Sequence, residues 1–109
     1  MEWRHSREHY RIMYPTAARP RFTIAGKVYQ VIDVCEQGLR YRADAGACPA
    51  LHDPVEGLLR FRRGEETKVR GTVVRVNGLE IALQLSLGVP LRIVQDEQRY
   101  LREHHRGSA

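Results

Sequence analysis

Residues 68–87 read KVRGTVVRVNGLEIALQLSL, and this stretch decides the fold. Asn77-Gly78 stands between two runs of alternating residues, the strongest short-range signal for a two-residue hairpin turn. With that dipeptide as the turn, Val76 pairs with Leu79, Val74 with Ile81 and Thr72 with Leu83. One face of the hairpin is then almost wholly apolar, while Arg75, Glu80 and Gln84 point the other way.

Strand patterns continue upstream. VEGLLRFRR (55–63) gives one strand, and GEE (64–66) turns the chain. RFTIAGKVYQVIDV (21–34) gives two more about a turn near Gly26-Lys27, with Phe22 and Ile24 alternating before the apolar run from Val28 to Val34. After CEQG, LRYRA (39–43) resumes the alternation, Leu39 and Tyr41 facing one way and Arg40 and Arg42 the other. ADAGACPALHDP (43–54) is small, polar and proline-bearing, and reads as a loop.

The two ends differ from this middle. Residues 1–20 hold no sustained period, and Pro15 and Pro20 mark an extended lead-in. Downstream, Pro90 permits a helix start. LRIVQDEQRYLREHHR (91–106) then brings Leu91, Val94, Tyr100 and Leu101 toward one stripe, with a basic last turn. About six short strands and one late helix make the chain mainly all-β, a small closed or nearly closed antiparallel barrel. The expected single domain, 1–109, divides into an arm (1–20), a barrel (21–88) and a C-terminal helix (90–106).

At 109 residues the chain can bury a core but not a core plus a large enzyme cleft. Its net charge is +5, and Lys27 and Lys68 are the only lysines among 18 basic residues. A GC-rich genome accounts for such a bias equally well, yet arginine forks suit phosphates and guanine edges, so an anionic partner is expected. Two cysteines, Cys35 and Cys48, make no disulfide framework. No apolar run has the length of a signal peptide or a membrane span. The expected setting is the cytoplasm, without membrane insertion.

His5, Glu8 and His9 match the H-x-x-E-H spacing of inverted zinc peptidases. That chemistry needs a third protein ligand and an enclosed cleft, which nothing here supplies, so surface histidines are expected and no metal. His104-His105 reads the same way. Neither cysteine has a recognisable base beside it, and no phosphate-cradling glycine motif is present. No enzyme is expected. A nucleic-acid-binding barrel is supported by charge alone, because the aromatic residues do not cluster as a stacking platform requires.

Two short constellations remain. Arg7 and Arg11 form R-x-x-x-R, and Asp33, Cys35 and Gly38 form D-x-C-x-x-G where one strand turns into the next. Together they suit a small anionic guanine ligand. Two arginine forks could clamp phosphates and reach guanine O6 and N7. A carboxylate accepts from guanine N1 and N2, and glycine permits close approach and an uncommon turn conformation.

In this order the two motifs resemble the PilZ domain, the bacterial receptor family for cyclic di-GMP, a second messenger. The family carries R-x-x-x-R on an N-terminal arm and [DN]-x-S-x-x-G on the barrel. REHYRIMYP is similar to its arm, VIDVCEQGLRY to its second motif, VRGTVVRVNGLEIALQL to its late hairpin, and IVQDEQRYLRE to the C-terminal helix of single-domain members. The resemblance implies a six-stranded antiparallel barrel whose arm folds across the mouth when cyclic di-GMP binds. Arg7 and Arg11 would hold phosphates and guanine, Asp33 would read a guanine edge, and Gly38 would allow close approach.

Two positions depart from that pattern. Cys35 stands where the family usually has serine, and a thiol is larger and a poorer hydrogen-bonding group, worth about 1 kcal/mol if one bond is lost. Ser6 stands where many relatives have a further arginine, with Arg4 nearby as a second auxiliary candidate. The implied role is a non-enzymatic adaptor that needs no cofactor, binds cyclic di-GMP and signals through an effector protein. The alternatives are a PilZ-like interaction module that has lost nucleotide binding, and an OB-like nucleic-acid binder.

Overall fold

The structure is a computed structural model that describes residues 11–105. It contains β1 (Ile12–Met13), β2 (Arg21–Ile24), β3 (Lys27–Cys35), β4 (Gly38–Arg42), β5 (Pro54–Arg60), β6 (Glu66–Asn77), β7 (Glu80–Leu87) and the helix α1 (Leu91–His105). A single turn of 3-10 helix, Thr16–Ala18, joins β1 to β2.

Six strands close on themselves in the order β3-β2-β5-β6-β7-β4, and β4 pairs back to β3. Every pairing is antiparallel. Closure removes the free strand edges an open sheet would leave. The fold is the expected mainly-β barrel with one C-terminal helix.

Phe22, Val31, Tyr41, Leu59, Val69, Val73 and Ile81 fill the barrel's interior. Burying one such large apolar side chain contributes about 1.5–3 kcal/mol. The Phe22 and Tyr41 rings meet edge to face at 5.2 Å, the geometry that aromatic quadrupoles favour.

The turns carry the first corrections. In the β6–β7 hairpin Asn77 pairs with Glu80, so the turn residues are Gly78 and Leu79, not Asn77 and Gly78. Gly78 has φ +63 at the first turn position, the pattern of a type II′ turn. The offset leaves Val76 opposite Ile81, and it is a bulge between Val73 and Arg75 that puts Val69, Gly71 and Val73 on the core side of β6. Thr72, Val74 and Val76 are exposed instead. The β2–β3 turn falls one residue earlier than Gly26-Lys27, at Ala25-Gly26, both with positive φ.

The helix stripe differs too. Ile93, Val94 and Glu97 are its buried residues, and Leu91 is exposed. Glu97 is only 1% exposed; its Oε1 accepts from the Tyr14 hydroxyl at 2.7 Å and its Oε2 from Arg63 Nε at 2.7 Å. A carboxylate buried this deeply is tolerated because both oxygens are bonded, one of them by a charged donor. The periodic pattern shows only the apolar members of a stripe, so a charged member completed by residues 34 and 83 positions away escapes it.

The lead-in is more than an extended arm from Ile12 onward. β1 pairs with β3, Ile12 to Val34 and Met13 to Asp33, and Ile12, Tyr14 and Ala18 are buried. β2 pairs with β3 over residues 27–30, and β1 takes up β3 at 33–34. A nine-residue β3 is longer than its four-residue partner β2, and β1 supplies a second stretch of pairing.

Candidate functional site

A bulge in β3 creates the site. Val31 pairs with Tyr41 but Asp33 pairs with Arg40, so Ile32 is an extra residue on that strand. Strict alternation from Tyr29 and Val31 would send residue 33 into the barrel. The inserted residue shifts the phase by one, making Val34 the core member. Asp33 and Cys35 line a cleft of about 470 Å³ on the barrel. Sites for small molecules run from about 300 to 1,000 Å³.

Arg11, Asp33, Cys35 and Gly38 all line this cleft. Arg11 arrives there because it directly precedes β1, whose register with β3 falls between Ile12–Met13 and Asp33–Val34. Its side chain is 54% exposed and its Nη1 lies 3.9 Å from Asp33 Oδ2. Arg7 lies outside the described residues, as do the auxiliary candidates Arg4 and Ser6 and the histidine pair of the H-x-x-E-H stretch. Among the described residues no cluster of His, Cys, Asp and Glu could hold a metal ion.

Asp33 is 2% exposed and already partnered. Arg40 Nε donates to its Oδ2 at 2.8 Å and Arg40 Nη2 at 2.5 Å, while Arg40 Nη1 reaches Glu80 Oε1 at 3.1 Å. The Asp33 hydrogen bond raises the Arg40 guanidinium above its ordinary pKa. Arg40 was not among the expected site residues. The alternation of LRYRA placed it on the outer face, but only the β3–β4 register shows that this face holds Asp33.

Gly38 serves by its lack of a side chain rather than by an uncommon backbone conformation, since its φ is not positive. A Cβ there would sit 3.1 Å from Cys35 Sγ and 3.7 Å from the Leu83 carbonyl oxygen. The thiol of Cys35 is buried. Glu36 and Gln37 form the turn between these two residues, and the end of β7 clasps it. Leu85 N–H donates to the Gln37 carbonyl and Val89 N–H to the Glu36 carbonyl, both at 2.9 Å. Gly88 lets the chain pass this close, because a Cβ there would collide with the Glu36 carbonyl oxygen. A turn held by two backbone bonds is a rigid floor for a ligand.

Other cleft residues were not legible as site residues, namely Gln37, Val74, Arg75, Ala82 and Gln84. Val74 reaches the cleft because the β6 bulge falls at its position. The lining therefore offers guanidinium groups, one buried carboxylate, amides and an apolar patch, which suits a flat, multiply charged ligand.

A scan against known protein families matches residues 5–103 to the PilZ domain. The chain belongs to the PilZ domain family. PilZ domains are cyclic di-GMP receptors, binding and adaptor modules rather than enzymes. No curated protein matches the chain. Among the described residues no helix is long and apolar enough to cross a membrane. The PilZ match spans both motifs, so it includes the position of Arg7 as well as the described cleft.

Proposed function

We propose that this PilZ domain binds cyclic di-GMP in the β3–β4 cleft and passes the signal to a partner protein. One observation carries the reading: the bulge and β1 together bring Arg11 to Asp33, Cys35 and Gly38, residues from two motifs more than twenty positions apart. Arg7 is four residues before Arg11, a chain reach of at most about 14 Å, enough to bring its side chain to the same ligand.

In this reading Arg7 and Arg11 clamp the phosphates and stack on or fork to the guanine, while Asp33 accepts from the guanine N1 and N2 edge. Asp33 is held by Arg40, so the ligand shares or displaces that pair. Sharing is the less costly course, because a guanidinium left without its carboxylate in a partly buried place loses a charge-assisted bond. β1 is already paired, so the segment that responds to ligand is the one ahead of Ile12. Binding fixes that segment against the barrel and makes a new surface for the partner. The expected setting for this receptor is the cytoplasm.

Cys35 favours a second reading, a PilZ-like interaction module without nucleotide binding, since a buried thiol is a poor substitute for the family's serine hydroxyl. Isothermal titration with cyclic di-GMP decides between them. Saturable heat at micromolar ligand is the expected result. No heat at tens of micromolar ligand favours the interaction module, and strongly salt-dependent binding to an oligonucleotide instead would favour nucleic acid.

A further inference from the structure

A second cationic site stands on β2, β5 and the start of β3, away from the Asp33–Cys35 end of β3 that lines the nucleotide cleft. Arg21 on β2 and Arg60 on β5 are direct cross-strand partners, and both are exposed. Like charges placed opposite each other on neighbouring strands cost stability. Arg60 is relieved in part by Glu66 at 3.5 Å, but among the described residues no carboxylate is paired with Arg21. Arg62, just beyond β5, and Arg19, just ahead of β2, also have no ion pair among the described residues; Arg42, Arg75 and Arg102 lack one too, so what sets Arg19, Arg21 and Arg62 apart is that they gather on one surface. Arg19 holds Gln30 Oε1 through Nη1 at 3.1 Å, yet its buried Nε finds no acceptor.

These side chains converge. One shallow cleft is lined by Arg19, Arg21, Arg62, Val28 and Tyr29, and an adjoining one by Arg21, Arg60, Phe61 and Arg62. Neither shares a residue with the nucleotide cleft. Val28 is largely exposed at the rim, so the surface offers an apolar contact beside several forks.

We infer that this surface docks an acidic segment of the partner protein, one in which carboxylates flank an apolar side chain. Arginine forks pair carboxylates bidentately, and the exposed Val28 accepts the apolar residue between them. A nucleic acid fits less well, because Tyr29 is buried and no exposed ring offers a stacking platform here. The inference rests on the proposed reading of the chain as an adaptor and names the chemistry of the partner it signals to.

The test uses the full chain and a fluorescent synthetic peptide alternating glutamate and leucine, followed by anisotropy, with single-stranded oligo-dT as the rival probe. Peptide binding that weakens about tenfold or more in Arg21→Ala/Arg62→Ala is the expected result. Cyclic di-GMP titration of the same variant should stay within about twofold of the parent, which separates this surface from the nucleotide cleft. Thermal denaturation supplies a second readout: Arg21→Thr should raise Tm by about 1–4 °C, because a like-charge pair is removed. Unchanged peptide affinity in the double variant overturns the inference, as does tighter, arginine-dependent binding of oligo-dT. A fall in Tm for Arg21→Thr overturns the electrostatic premise. Failure of cyclic di-GMP to bind the parent protein would sink the proposed function and leave the peptide result standing on its own.

Discussion

Asp33 and Arg40 face each other across β3 and β4, and the guanidinium holds one carboxylate oxygen through two of its nitrogens. The acid proposed to read guanine is thus charge-paired before any ligand arrives. Arg40 in turn reaches Glu80 on β7, so three strands meet at this pair.

Arg40→Gln should destabilise the unliganded protein by about 1–3 kcal/mol, because a buried carboxylate loses its main charged partner while the guanidinium itself is partly exposed. Asp33→Ala should cost less stability, because Arg40 keeps Glu80, but weaken cyclic di-GMP binding by about tenfold or more, since no acceptor is left for guanine N1 and N2. Denaturant melts and calorimetric titration measure both effects. Undiminished binding by Asp33→Ala would remove Asp33 from the guanine-reading role.

Arg11 makes only a long contact to Asp33 and is more than half exposed. Arg11→Ala should therefore leave the unliganded Tm within about 2 °C of the parent while removing most nucleotide binding. Arg7→Ala should do the same. A large drop in unliganded Tm would show that these arginines hold the fold rather than the ligand.

Cys35 and Gly38 should behave as a coupled pair. Cys35→Ser restores a hydroxyl and should bind cyclic di-GMP at least as tightly as the parent, with a gain of up to several-fold, about one hydrogen bond. Gly38→Ala places a methyl 3.1 Å from the thiol sulfur and should destabilise the parent. The same change should cost less in the Cys35→Ser background, where the smaller oxygen gives room. Strictly additive losses in a double-mutant cycle would mean that the sulfur is not the obstacle.

Two tyrosines should make the fold sensitive to alkali. Burial, reinforced by the neighbouring Glu97 charge, pushes the Tyr14 phenol well above its ordinary pKa, and burial pushes Tyr41 up to about 12. A phenol whose pKa is higher folded than unfolded binds its proton more tightly in the native state. Its contribution is complete below pH 10 and is lost as pH climbs from there through the folded value. Stability from denaturant melts should fall steadily above about pH 10, and tyrosinate absorbance from these two rings should appear only with unfolding. Tyr14→Phe should flatten that fall while costing about 1–2 kcal/mol at neutral pH, because Glu97 loses a hydrogen bond. A Tyr14 phenolate formed before the fold melts would contradict the buried pairing.

The local patterns carried most of the fold. Alternation in 39–43 placed Leu39 and Tyr41 inward and Arg40 and Arg42 outward, as they stand. Asn77-Gly78 marked the right hairpin, although the turn itself begins one residue later. The misplaced core face of β6 followed from the bulge at Val74 and not from the later turn, which leaves Val76 opposite Ile81; beyond the bulge Val73, not Val74, faces Leu83. Arg11, Asp33, Cys35 and Gly38 were legible as one candidate site because their types and spacings resemble a family motif. Arg40 and Glu97 were not legible. Each owes its role to a partner on another strand, and an alternation or helical stripe does not record which charge will lie opposite.

By itself, then, the sequence determined the strand succession, the barrel class, the terminal helix and the two motifs, all of which depend on residue type at short range. Tertiary structure alone decided which way Asp33 and Cys35 face. In β3 the apolar run from Val28 to Val34 fits either phase, and the choice is made by pairing with β4, where Ile32 bulges so that Val34 enters the core. That one extra residue turns Asp33 and Cys35 out into the cleft, because the phase of a strand is fixed by its neighbour's register and not by its own sequence.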